Sequence, residues 1–151
     1  MTAGIGERTY TIKEAAALAG LPASTLRYYE SIGVTAPVAR GESSGHRVYT
    51  DADVELLTAV ACMAATGMPV SDMRHYVENG RLGPAAAAQQ IALLSERAER
   101  LAEEARLVRA RRKYVTIKID YWHAVAAGDE AEAERLAAEA RALVGQLKPA
   151  R

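Results

Sequence analysis

The sequence predicts a mainly α-helical protein: a head of short helices with one small β-hairpin, then a long helix, then a short final helix. Three observations predict this. Helix-start and helix-stop residues recur at short spacing over the first 80 positions. One glycine- and serine-rich stretch with apolar flanks interrupts them. From Pro84 onward, apolar residues return every three or four positions for about five heptads.

The first helix is announced by "TIKEAAALAG". Thr11 and Glu14 have the spacing of a reciprocal capping box, and Gly20 suits the stop. Only "LP" separates it from "ASTLRYYESIG", where Pro22 suits a first helical position and Gly33 a stop. Two short helices joined so tightly form either a helix-turn-helix or an ordinary αα-hairpin. "VTAPVARGESSGHRVYT" follows. Its turn formers Pro37, Gly41, Ser43, Ser44 and Gly45 lie between short apolar flanks, which predicts a small hairpin with Arg40, His46 and Arg47 about its tip. A helix-turn-helix followed by a basic hairpin is a winged arrangement.

Thr50 and Asp53 repeat the capping pattern and open a third helix, closed by Gly67. Its stripe of Val54, Leu57, Ala61 and Ala64, widened by Leu56, Val60 and Met63, predicts substantial burial. Pro69 punctuates, Ser71 is a candidate cap, and "DMRHYVEN" predicts a fourth helix ending at Gly80. Beyond Pro84, Ile91, Leu94, Ala98, Leu101, Ala105, Val108, Val115, Ile119 and Trp122 form a heptad seam with one break at Arg112. So regular a seam is a poor match to a lone solvated helix and predicts a partner helix. Gly128 and Asp129 break it, and "DEAEAERLAAEARALVGQL" predicts a short amphipathic helix. The expected organisation is a head over 9–79, a long dimerisation helix over 84–127, and a short helix and tail over 128–151.

Composition narrows the function classes. The 151 residues carry no net formal charge; the first 80 hold six basic against nine acidic side chains, the remainder thirteen against ten. Nucleic-acid binding must then rest on where cations sit, not on bulk charge. The single cysteine, Cys62, permits no internal disulfide, and no metal-ligating cysteine framework exists. No metal or other cofactor is expected. No signal-like N-terminus and no apolar run of membrane-spanning length is present, so a cytoplasmic protein without membrane partners is expected. Catalytic constellations are missing too: His46, His75 and His123 are scattered, and there is no phosphate-binding glycine loop. An enzyme is not expected.

"STLRYYE" carries the most specific chemistry. Ser24, Arg27 and Tyr28 share one face of the second helix, while Leu26 and Tyr29 lie on another. An outward Arg and Tyr on the second helix of a helix-turn-helix can enter a major groove, where Arg meets guanine edges or phosphates and the Tyr hydroxyl meets phosphate oxygens. The alternative is that a tyrosine here belongs to the core, a reading that suits Tyr29 better than both.

With these residues in view, "YTIKEAAALAGLPASTLRYYESIGV", "GHRVYTDADVELL" and "MAATGMPVSDMRHYV" resemble the MerR family of transcriptional regulators over roughly residues 9–78. The resemblance implies a homodimer joined by an antiparallel coiled coil. It further implies binding to a near-palindromic promoter element, distorted so that RNA polymerase can align with it. It places Arg27, Tyr28 and Tyr29 on the recognition helix and Arg40, Ser44, His46, Arg47 and Tyr49 in the wing region, and it assigns the seam to dimerisation. Two departures from many members, Pro22 in place of Ser or Thr and Ala64 in place of a basic residue, imply fewer phosphate anchors and a shallower salt dependence.

The metal-responsive members ligate their ion with cysteines at the end of the coiled coil, and "IDYWHAVAAGDE" has none. The multidrug-binding members carry a large appended domain, whereas only about 23 residues follow Gly128. Cys62 in "CMAATGMP" and the late "IKIDYW" resemble instead the thiol- and aldehyde-responsive branch, in which a lone cysteine at this position is the proposed sensor. No Lys or Arg lies one turn from Cys62 on either side. Sensor and small core filler both remain open for it. Other functions compatible with the head are a DNA-architectural, excisionase-like factor, a protein-binding adaptor, and a regulator that responds to an unidentified small molecule.

Overall fold

The computed structural model describes residues 7–150. The chain divides into two compact units, Met1–Arg97 and Ala98–Arg151. The first opens with strand β1 (Thr9–Tyr10), followed by α1 (Ile12–Ala19) and α2 (Ala23–Ser31). The capping box at α1 is complete: the Glu14 amide donates to Thr11 Oγ1 and the Thr11 amide to Glu14 Oε1, both at 3.2 Å. Gly20 ends the helix at φ +71°, which lets the Leu21 amide turn back to the Ala16 carbonyl at 3.0 Å. Pro22 stands one position earlier than expected, as the N-cap of α2 with no side-chain cap bond.

Strand β2 (Tyr49–Thr50) pairs antiparallel with β1, Thr9 opposite Thr50 and Tyr10 opposite Tyr49. The sequence pattern does not announce β1, because two residues are too few for alternation to register. The hairpin between α2 and β2 is present as a wing. Its pairing is one antiparallel bridge, Arg40 opposite Arg47, flanked by bonds from the Val48 amide to Ala39 O (2.8 Å) and the Gly41 amide to His46 O (2.9 Å). Gly45 supplies the left-handed residue at the tip, φ +68°.

Helix α3 (Asp51–Ala65) starts from the second capping box, Thr50 N to Asp53 Oδ2 at 2.9 Å and Asp53 N to Thr50 Oγ1 at 3.2 Å. Caps of this kind contribute on the order of 1 kcal/mol each. Helix α4 (Val70–Leu82) differs from expectation at both ends: Pro69 rather than Ser71 occupies the cap position, and the helix passes through Gly80. Tertiary bonds hold that last turn, with Gln90 Nε2 donating to Tyr76 O (2.9 Å) and Asn79 Nδ2 to Gln90 Oε1 (3.2 Å). After a 3-10 turn (Gly83–Ala86) the chain enters α5 (Ala87–Ala126).

Two adjoining clusters form the core of the first unit. One gathers Ala15, Ala16, Ala19, Leu26, Tyr49 and Leu57. The other gathers Tyr29, Val34, Val60, Met68, Met73 and Val77, with Leu93 of α5 against it. Small alanines on α1 let α2 and α3 approach closely; such close packing makes core volume changes costly. In the second unit, α6 (Glu130–Leu143) starts from Asp129, whose Oδ1 accepts from the Glu132 amide at 3.1 Å. It lays Ala133, Leu136, Ala140 and Leu143 against Ile117 and Ala124 of α5, with Tyr114 and Tyr121 alongside. Arg111 Nε then donates to Leu147 O at 3.2 Å and ties down the tail.

Candidate nucleic-acid interface

Helix α2 turns one face inward and one outward. Leu26 and Tyr29 are buried in the two core clusters, 1% and 7% exposed. Ser24 and Arg27 are exposed, and Tyr28 is 53% exposed. The period of the helix forces this split: residues three and four apart share a side, so fixing Leu26 and Tyr29 in the core turns Ser24, Arg27 and Tyr28 outward. Tyr28 leans on Tyr29, ring centroids 6.1 Å apart, and the Ser31 hydroxyl donates to the Tyr28 carbonyl at 2.7 Å.

A cleft of about 450 Å³ separates this face from the wing. It brings together Arg27 of α2 with Arg40, Ser44, His46, Arg47 and Val48 of the wing, and Thr9, Tyr10, Thr11 and Ile12 close it from the N-terminal side. Among the described residues, three arginines and a histidine line it and no acid does; with Arg47 paired to Glu30, Arg27 and Arg40 give a chain of net charge zero a local positive surface. The N-terminal contribution had no sequence signal, since it depends on β1 pairing with β2. Tyr10 is anchored there by a 2.6 Å bond from its hydroxyl to Asp51 Oδ1, which raises its pKa, and Arg8 stacks over its ring at 5.2 Å.

Three of the anticipated contact residues sit differently. Tyr29 and Tyr49 belong to the interior, each ring filling a core cluster; for Tyr29 this is the core reading, and for Tyr49 it corrects the placement among the wing contacts. Tyr49 is 2% exposed, its hydroxyl meets no protein partner among the described residues, and burial raises its pKa. Arg47 is half-buried and its Nε donates to Glu30 Oε2 at 2.9 Å, so its charge is already matched within the head. Arg40 Nη1 donates to the Gly45 carbonyl at 3.1 Å and the residue stays exposed, as do Ser44 and His46.

Along α5, the seam residues Ile91, Leu94, Leu101, Val108, Val115, Ile119 and Trp122 are all exposed, Ile91 at 65% and Trp122 at 62%. A second stripe on the same helix, Leu107, Tyr114, Ile117, Tyr121 and Ala124, is the one turned inward. Cys62 on α3 is exposed, which sets aside the core-filler reading. Among the described residues no cluster of three or more His, Cys, Asp or Glu could hold a metal ion, and no helix is long and apolar enough to cross a membrane.

Residues 10–80 match the profile of the MerR HTH family regulatory proteins. Over 71 residues the chain is 37% identical to YyaN of Bacillus subtilis, an uncharacterized HTH-type transcriptional regulator; the match covers 47% of this chain and 51% of that protein. An uncharacterized HTH-type regulator of Haemophilus influenzae is 39% identical over 70 residues, covering 46% and 51% respectively. The chain thus spans about half the length of these curated relatives. Among solved structures, HiNmlR, a MerR family regulator lacking the sensor domain and bound to promoter DNA, superposes with a TM-score of 0.65 at 27% identity, covering 83% of this chain and 96% of that one.

Proposed function

We propose that this chain, whose residues 10–80 match the profile of the MerR HTH family regulatory proteins, is a transcriptional regulator that works as a homodimer, grips a near-palindromic promoter element and distorts it, acting on RNA polymerase through the DNA. The observation that carries this reading is the acid-free cleft between α2 and the wing, with Arg27 and Tyr28 turned outward beside it. In it, Arg27 and Tyr28 of α2 enter the major groove, and Arg40, Ser44 and His46 meet the flanking backbone. The exposed seam of α5 supplies the dimer interface, since a continuous apolar stripe on a charged helix is stable only when covered. The architectural and adaptor alternatives give no reason for so long a seam. Genome-wide footprinting tests the proposal. The expected result is protection of near-palindromic elements within promoters; no protected sites, or sites without dyad symmetry, would overturn it.

A response to electrophiles or oxidants through Cys62 fits the same regulator. The observation favouring it is the exposure of the thiol on α3. A thiol open to solvent is open to reagents, and an adduct there changes the surface of α3 without overfilling the interior. Cys62→Ser should leave binding to a footprinted promoter intact and abolish the change in transcription caused by an added aldehyde. A serine variant that responds as fully as the wild type would remove Cys62 from the signal path.

A further inference from the structure

We infer that Glu30 is a positioning residue for DNA recognition: through Arg47 it fixes the wing against the recognition helix and keeps the Arg47 charge off the DNA backbone. The inference rests on the regulator reading above and adds to it a residue that does not itself face the cleft.

Glu30 lies in the last turn of α2, one turn after Arg27, and Arg47 lies in the wing just before β2. Their side chains are only 15% and 21% exposed, and Nε and Oε2 are 2.9 Å apart. Pairs such as Arg106–Glu103 and Arg135–Glu132 link neighbours on one helix and are more exposed. The Glu30–Arg47 pair instead spans 17 residues and joins two elements that line or border the same cleft. Partly sheltered charges are screened less by salt than surface pairs, so this link persists where surface pairs fade.

The wing creates a need for it. Arg40 and Arg47 face each other in the hairpin's one bridge. Like charges directly opposite across two strands are destabilising. The structure resolves the conflict by sending the two head groups to different partners: Arg40 to the Gly45 carbonyl at the tip, and Arg47 to Glu30 on α2. The carboxylate therefore permits two arginines at this register and ties the wing to the helix in the same contact. Of the three cleft arginines, Arg27 and Arg40 then have no acidic partner among the described residues, and Arg47 acts as the tether.

Glu30→Gln isolates this role, because it keeps the shape and a hydrogen-bond acceptor but removes the charge. The probes are a duplex selected from a random-sequence library by the wild-type protein and a scrambled duplex of the same composition. Affinity of the variant for the selected duplex should fall about ten-fold. Affinity for the scrambled duplex should hold or rise, and its salt dependence should steepen by about one unit as Arg47 becomes free to meet a phosphate. Amide exchange at Gly41 and Val48, which are bonded across the wing, should accelerate while exchange in α1 stays unchanged. The exchanged pair, Glu30→Arg with Arg47→Glu, should recover most of the selected-duplex affinity lost in either single variant. Equal loss on both duplexes, or wild-type affinities with an unchanged salt slope and unchanged wing exchange, overturns the inference. A wild type that selects no duplex sinks the regulator reading instead, and wing exchange in Glu30→Gln still decides whether the tether exists.

Discussion

Glutamate at both Leu101 and Val108 is expected to split the proposed homodimer into monomers. Both positions lie on the exposed seam of α5, 39% and 59% exposed, well away from the stripe that packs against α6. The substitution therefore leaves the second unit's own core untouched and acts on whatever covers the seam. In an antiparallel pair it would place four carboxylates in a stripe that is otherwise apolar. An uncompensated buried charge costs about 3–5 kcal/mol, and every 1.4 kcal/mol or so is ten-fold in a dissociation constant. Even one such penalty weakens association more than a hundred-fold. Sedimentation at micromolar concentration should show the mass halved, with far-UV ellipticity reduced only where the helix loses its partner. An unchanged mass would show that this seam is not the dimer interface.

Arg27→Ala is expected to weaken binding to a selected operator by about 1–3 kcal/mol if the guanidinium reads a base edge, roughly five- to a hundred-fold or more. The fold gives this variant a clear meaning. Arg27 is exposed on α2, whereas the packing of that helix rests on Leu26 and Tyr29. The thermal midpoint should barely move, so lost affinity reports lost contact. A base contact shows as loss confined to one position of the operator; a phosphate contact shows as equal loss on all sequences and a salt slope shallower by about one unit. Titration against a set of single-base operator variants separates the two. A folded variant with wild-type affinity would take Arg27 out of the interface.

Much of the head was legible from the chain because its signals are local. Thr11 with Glu14, and Thr50 with Asp53, name their helix starts because a side chain three residues from a cap reaches the cap's own amide whatever surrounds it. Gly20 names the tight turn because its φ of +71° is cheap only for glycine. The outward face of Ser24, Arg27 and Tyr28 follows from helical period once Leu26 is taken as core. The seam of α5 was legible as a repeat, yet that helix carries two apolar stripes. The stripe containing Leu107, Ile117 and Ala124 is not legible as a separate face, because each stripe has heptad spacing and together they blur the single-face pattern.

The sequence by itself determined the order of the helices, the caps and stops of α1 and α3, and the outward residues of α2, and its residues 10–80 match the profile of the MerR HTH family regulatory proteins. Only the tertiary structure decided which of two α5 stripes α6 would cover, that Tyr49 would fill the core, that β1 would close the cleft, and that Arg47 would be spent on Glu30. The division has a physical cause. Caps, turns and helix faces are set by atoms within about four residues of one another, which the order of the chain fixes directly. Burial and ion pairing are set by whichever distant group arrives to exclude water. Glu30 and Arg47 are 17 residues apart, and nothing in either side chain tells it that the other will come within 2.9 Å.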